Sequence, residues 1–194
     1  MLTDEQLVSE YQDGKEAAFD ELIHRYTQSF FYFALQIVKN KAEAEDAVQD
    51  SFIKIWKSLN TFDESKKLKT WMYRIVKNTC LDHLRKNKKE IIFTNFDKEG
   101  DGESAGFADY IPDEGLSPLE IVIEKQEAEE LYYLIKQLPE IYQIILRLYY
   151  LEEMTLAEIA DILEESLDTI KSRHRRALIK LRMLVGGAIG SLKV

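Results

Sequence analysis

The sequence predicts an all-α protein made of two small helical domains joined by a flexible linker. Apolar residues recur at three- and four-residue spacing over most of the chain, which is the period of amphipathic helices. Only three prolines and eight glycines occur among 194 residues, so long helices are favoured over closely spaced turns. One middle segment loses this periodicity and collects Gly, Asp, Glu and Ser. Nothing in the sequence predicts a β-strand.

The first domain, residues 1–89, is predicted to contain three helices. The first has one buried face formed by Phe19, Leu22, Ile23, Tyr26, Phe30, Phe33 and Ile37. The second follows Asn40 and places on one side Val48, Phe52, Ile55 and Leu59. The third runs from about Leu68 to Lys88.

The middle segment, residues 90–117, is predicted to be an acidic, solvated linker. It holds 8 acids and one base, a charge of -7, out of -9 for the whole chain. Its "DKEGDGE" run has some calcium-loop character, but the twelfth position from Asp97 is Ala108, where a bidentate Glu is needed. No metal is therefore expected, and the net charge says little about the partners of the flanking domains.

The second domain, residues 118–185, is predicted to begin with a helix start in "SPLE", and residues 186–194 form a tail. Ser117 is the predicted N-cap, Pro118 takes the first helical position, and Glu120 closes a capping box. Further helices are predicted to open at Pro139 and at Thr155.

The stretch "TLAEIADILEESLDTIKSRHRRALIKLR" predicts a helix-turn-helix. Ala160 suits the crossing of the two helices, and Ile170 suits the docking of the second helix. Lys171–Arg182 contains six bases and no acid. The predicted outward side chains, which suit phosphates and base edges, are Thr169, Ser172, Arg175 and Arg176. Such a helix enters the DNA major groove; an ordinary basic surface helix is the alternative.

Two positions do not fit a standard helix-turn-helix. Glu164 occupies the turn position that is often Gly, which implies a different turn geometry or strain. His174 lies near the inner edge of the second helix, where a partly buried histidine is expected.

Residues 66–89 predict a second nucleic-acid surface, because they hold nine bases and one acid, Asp82. One helical face would carry Lys67, Trp71, Arg74, Asn78, Arg85 and Lys89. Cations with an aromatic ring suit single-stranded or melted DNA. The alternative places Trp71 in the core and leaves the lysines solvated.

The preceding helix predicts a protein-binding face. Asp46, Asp50, Ile53 and Lys57 line the side opposite its apolar residues, flanked by Gln49 and Trp56. An apolar centre among acids is compatible with a partner surface, although solvated acids are the alternative.

These features in this order resemble the extracytoplasmic-function sigma factors of bacterial RNA polymerase. "AEDAVQDSFIKIW" resembles the polymerase-clamp helix, "FDESKKLKTWMYRIVKNTCLDHLRK" the minus-ten segment, and "LPEIYQIILRLYYLEEMTLAEIADILEESLDTIKSRHRRALIKLR" the minus-thirty-five domain. The two domains would then be like sigma region 2 and sigma region 4.

The resemblance implies a role for each set of residues. Core polymerase, through its β′ clamp coiled coil and β subunit, would be bound by Asp46, Gln49, Asp50 and Ile53. Melted minus-ten DNA would contact Phe62, Lys66, Lys67, Lys69, Trp71, Arg74, Lys77, Asn78 and Arg85. The minus-thirty-five duplex would contact Ser166, Thr169, Lys171, Ser172, Arg173, Arg175 and Arg176.

It also implies a non-catalytic initiation subunit without cofactor, metal or small-molecule substrate. Its linker would thread toward the polymerase active-site cleft and RNA exit channel. An anti-sigma factor would clamp the two domains, and promoter DNA would be the ligand. We expect a cytoplasmic protein, held at the membrane only through such a partner, because the sequence shows neither a signal peptide nor a long apolar span.

Two alternatives remain at this stage. A dimeric repressor or activator could use the same helix-turn-helix, but it would not need the basic face with Trp71 or the helix with Asp46. A nuclease would need a carboxylate or histidine cluster, and His24, His83 and His174 are scattered along the chain.

Overall fold

The computed structural model describes residues 2–63, 65–87 and 133–191. The predicted all-α class is confirmed, since these residues form helices and turns and no strand. The predicted linker, the helix start at Ser117 and the last three residues of the tail lie outside the described residues.

The helices are α1 Asp4–Gln12, α2 Ala17–Val38, α3 Lys41–Leu59, α4 Leu68–Lys86, α5 Glu140–Tyr150, α6 Leu156–Leu163 and α7 Leu167–Ser191. The three helices predicted in the first domain are confirmed as α2, α3 and α4. The helices predicted at Pro139 and Thr155 begin one residue later, at Glu140 and Leu156.

The helices belong to two compact units. The first takes Met1–Ile91 together with Ala157–Glu165, and the second takes Ile92–Leu156 together with Ser166–Val194. Helix α6 therefore counts with the first unit from Ala157 onward.

Local signals explain where the helices of the first unit begin and end. Helix α1, which the periodicity did not predict, starts with a capping box in which Thr3 and Gln6 exchange hydrogen bonds. Asn40 caps α3 by accepting a hydrogen bond from the Glu43 N–H. Between them, α2 ends where Lys39 adopts a left-handed conformation with φ of 59°.

The core of the first unit is aromatic. Phe30 is fully buried, and its ring lies 5.0 Å from that of Tyr73 in α4 and 5.4 Å from that of Phe52 in α3. The ring of Phe33 also lies 5.1 Å from that of Tyr73. The predicted buried face of α2 is confirmed except at Ile23, which is only partly buried. This shared core holds the outward faces of α3 and α4 in fixed register.

In the second unit, α5 packs against α7. Helix α5 buries Ile141, Ile144 and Leu148, and α7 buries Ile170 and Ala177. The remaining predicted inner residues of α7 are Leu181, which is buried, and Leu184, which is half-buried.

The single cysteine of the chain, Cys80 in α4, is fully buried. Burial raises the pKa of its thiol to about 12. Within the described ranges, no helix has the length and apolar character needed to cross a membrane. The same part of the chain brings no three His, Cys, Asp or Glu side chains together as metal ligands.

Candidate nucleic-acid interface

The outer face of α3 is an exposed stripe of acidic and apolar side chains. Asp46, Gln49, Asp50 and Ile53 are all exposed, while Val48, Phe52 and Ile55 on the opposite face are buried. Ile53 and Trp56 are each about half exposed, at 50% and 51%. A large apolar surface between carboxylates is unusual on a solvated helix and fits a partner surface.

The sequence did not reveal that His83 of α4 contacts this stripe. Its Nε2 lies 2.9 Å from Oδ2 of Asp50, and the pair spans 33 positions of sequence. No local pattern reports such a pair, because it depends on how α3 and α4 pack.

The outer face of α4 carries the predicted basic and aromatic groups. Lys67, Arg74, Asn78 and Arg85 are exposed, whereas Lys89 lies outside the described residues. Trp71 is half-buried, and its ring lies 4.9 Å from that of Phe62. The indole is thus neither a core residue nor fully solvated, and together with Phe62 it forms an aromatic platform beside the cations.

Lys77 differs from the other predicted minus-ten residues, because it is 2% exposed. Its Nζ lies 3.1 Å from a carboxylate oxygen of Glu164. Lys77 therefore lies below the open face of α4 rather than on it, and its role in DNA contact stays a prediction.

Inside the first unit, α6 lies against the basic face of α4. Lys67 Nζ is 2.9 Å from Glu158, and Arg74 is 3.2 Å from Asp161. A groove of about 640 Å³ runs here, lined by Lys66, Trp71, Asn78 and the ion-paired residues among others. Five of the predicted minus-ten residues therefore border one concave surface, namely Lys66, Lys67, Trp71, Arg74 and Asn78.

Glu164 follows α6 and adopts a left-handed backbone conformation with φ of 59°. This confirms that the turn needs the conformation that favours Gly, at a cost of roughly 1–2 kcal/mol for another residue. The hydrogen bond from Lys77 lowers the pKa of the Glu164 carboxyl despite partial burial. Ser166 then caps the start of α7, since its Oγ accepts a hydrogen bond from the Thr169 N–H at 3.0 Å.

Helix α7 carries the predicted minus-thirty-five residues. Ser166, Lys171 and Ser172 are exposed. Thr169, Arg175 and Arg176 are partly exposed. Arg173 is buried, at 8% exposure, so it does not share the open face on which the prediction placed it.

The expectation that His174 is partly buried is confirmed. Its ring lies 4.6 Å from that of Tyr149 and 6.0 Å from that of Tyr150. Its Nε2 is buried and has no hydrogen-bond partner among the described residues. Burial among these rings lowers the pKa of His174 below its ordinary value of 6.5.

Protonation of His174 is therefore expected to destabilise the fold. Above pH 6.5 the imidazole is neutral in both folded and unfolded chains. As the pH falls below that value, the unfolded chain takes up the proton first, so the free energy of unfolding decreases until the pH reaches the folded pKa. Urea unfolding at a series of pH values should show this acid loss, and His174→Gln should reduce it.

His24→Gln is the matched control, since His24 is exposed. The control should keep the acid loss of the wild type. An unchanged pH profile in His174→Gln would contradict the assignment to His174.

Two family models match the chain. Sigma-70 region 2 matches residues 22–90, and Sigma-70 region 4 matches residues 134–183. These matches define a sigma factor, the class of protein that acts in transcription initiation.

Individual relatives agree with the class. SigV of Bacillus subtilis, an RNA polymerase sigma factor, is 32% identical over 81% of this chain and 85% of its own. The RNA polymerase sigma-H factor of Pseudomonas aeruginosa is 30% identical over 90% and 89%. The ECF RNA polymerase sigma factor SigW of Bacillus subtilis is 29% identical over 90% and 92%. The chain belongs to the extracytoplasmic-function sigma factors of the sigma-70 family.

Solved structures share the fold. CnrH, in complex with the cytosolic domain of CnrY, has a TM-score of 0.59 at 20% identity, covering 95% of this chain and 97% of its own. RpoE of Bartonella quintana, in complex with the anti-sigma factor NepR, has a TM-score of 0.58 at 21% identity, covering 87% and 96%.

Proposed function

We propose that this chain is an alternative sigma factor that binds core RNA polymerase and directs promoter-specific initiation. Residues 1–89 bind polymerase and capture melted minus-ten bases, and residues 118–185 read the minus-thirty-five duplex. The observation that carries the proposal is the aromatic platform of Phe62 and Trp71 beside exposed cations on α4, in a chain of this family. A duplex-binding repressor has no need of that surface.

The α3 stripe is the proposed polymerase-binding surface. Its carboxylates would meet basic side chains of the β′ clamp coiled coil, and Ile53 would occupy the apolar centre of the contact. Charge complementarity of this kind sets orientation and association rate. The β subunit is a further proposed partner.

The α4 face is the proposed site for melted minus-ten DNA. Lys66, Lys67 and Arg74 would neutralise phosphates, while Trp71 and Phe62 would support an unstacked base. Base-aromatic stacking contributes about 1–3 kcal/mol per base, and extruding a base costs a few kcal/mol. Capture of unpaired bases can therefore shift the promoter toward its open state without any chemical step.

Helix α7 is the proposed minus-thirty-five reading helix. Lys171, Ser172, Arg175 and Arg176 form the central set, with Ser166 and Thr169 at its N-terminus. Arginine contacts to guanine edges would give sequence specificity, and the remaining groups would contact phosphates. Because Arg173 is buried, we assign it a supporting position rather than a base contact.

Control by an anti-sigma factor is part of the proposal. The related fold of RpoE from Bartonella quintana was solved with the anti-sigma factor NepR. An anti-sigma factor that clamps the two domains of this chain would hide both DNA surfaces. The linker of residues 90–117 would permit that second arrangement, and a membrane-bound partner could hold an otherwise cytoplasmic protein at the membrane.

Run-off transcription tests the proposed function. Core polymerase and this protein, mixed with a promoter library, should yield transcripts from a defined subset of promoters that core polymerase alone does not use. Binding of the protein to duplex DNA without polymerase, together with no promoter-specific transcripts, would favour a repressor instead.

A further inference from the structure

We propose that the free protein masks its own minus-ten surface, with the acidic row of α6 occupying α4 in place of DNA phosphates. The acidic row consists of Glu158, Asp161 and Glu164. The inference rests on the proposed function, because it takes the α4 face as the minus-ten site. It adds a competitor for that site from within the chain itself.

The acidic row is spaced by three residues, so its side chains follow one another along one side of α6 and its turn. Each carboxylate meets a cation of α4. Glu158 pairs with Lys67 at 2.9 Å, Asp161 with Arg74 at 3.2 Å, and Glu164 with Lys77 at 3.1 Å. All three cations are among those that the minus-ten strand would contact.

Glu158 makes a further contact with α4. Thr70 Oγ1 lies 3.4 Å from Oε1 of Glu158, the same oxygen that forms the ion pair with Lys67. The side chain of Glu158 is 17% exposed, so this end of the row is partly shielded from water. DNA phosphates and the acidic row would therefore compete for Lys67 and Arg74.

Glu164 contributes to the masking through its carboxylate. A Gly at this position would satisfy the left-handed backbone but would offer no carboxylate to Lys77. Glu164 instead adopts the strained left-handed conformation. Its carboxylate neutralises Lys77, whose side chain is 3% exposed. The unusual turn residue thus has a function that backbone geometry alone does not explain.

The contacts at Lys67 and Arg74 are open to solvent, since those side chains are 71% and 44% exposed. Exposed ion pairs are individually weak and are screened by salt. A competing polyanion can therefore displace the acidic row, which does not block the site permanently.

Binding of single-stranded DNA by the free, full-length protein tests the proposal. The probe is a short fluorescein-labelled DNA strand of mixed sequence, followed by anisotropy without polymerase. The triple variant Glu158→Gln, Asp161→Asn, Glu164→Gln should bind about 10-fold more tightly than wild type, because the cations of α4 become available.

The matched control neutralises three exposed acids near the start of α2, namely Asp13→Asn, Glu16→Gln and Asp20→Asn. It makes the same change in net charge without touching the acidic row, so it reports the general effect of charge on DNA affinity. Equal affinity of the triple variant and this control would overturn the masking proposal.

Glu164→Gly provides a second variant, which relieves the left-handed strain but removes the carboxylate from the buried Lys77, so circular dichroism must first show that it is folded. It should bind the probe more tightly than the single control Asp20→Asn. The run-off assay separates the two hypotheses: absent transcripts from the wild type would reject the proposed function, whereas normal transcripts with no gain in probe binding would reject only the masking.

Discussion

Reversing the charges of Asp46 and Asp50 to Lys should weaken binding of the protein to core RNA polymerase by about 100-fold or more. Both carboxylates are exposed on α3 beside Ile53, and placing like charges against a basic partner costs several kcal/mol. Titration of labelled protein with core polymerase, followed by anisotropy, measures the change directly.

The control for this experiment is the double variant Asp13→Lys, Glu16→Lys. It introduces the same charge change at exposed positions before α2. Duplex binding through α7 should persist in the Asp46/Asp50 variant. Unchanged polymerase affinity in that variant would remove α3 from the polymerase interface.

Replacing Arg175 and Arg176 together by Ala should reduce promoter-specific transcription by about 100-fold, because each specific arginine contact contributes about 1–3 kcal/mol. Both side chains lie on the part of α7 that remains partly exposed. The experiment uses holoenzyme on a promoter selected from the library, with run-off transcripts as the measurement.

A matched double variant, Lys180→Ala and Arg182→Ala, removes two exposed cations from the same helix nearer its C-terminus. It should lower transcription only slightly and reduce the salt dependence of DNA binding. If both double variants lose activity equally, α7 contributes only general electrostatic attraction and reads no sequence.

Helix placement was predictable from sequence because it depends on local periodicity and caps. The buried faces of α2 and α3 were predicted residue by residue, with Ile23 as an exception at the edge of the core. Helix α1 was missed although Thr3 and Gln6 form a readable capping box, because the apolar pattern of this nine-residue helix is too short to stand out.

The exposure of the site residues was predicted correctly for some side chains and not for others. Exposure of Arg74 and Asn78 follows from helical spacing alone. Burial of Lys77 and Arg173 does not, because it depends on which neighbouring elements cover a given turn of helix. Likewise, the partners of Glu164 and Asp50 lie 87 and 33 positions away in sequence, beyond the reach of any local rule.

The state of Cys80 has a consequence for how this factor could receive a signal. A thiol with a pKa of about 12, fully buried on the inner face of α4, forms almost no thiolate at neutral pH and is inaccessible to peroxide. As the chain holds no other cysteine, thiol oxidation offers it no direct means of sensing an oxidant. If oxidative stress activates this factor through thiol chemistry, the reactive sulfur must belong to a partner.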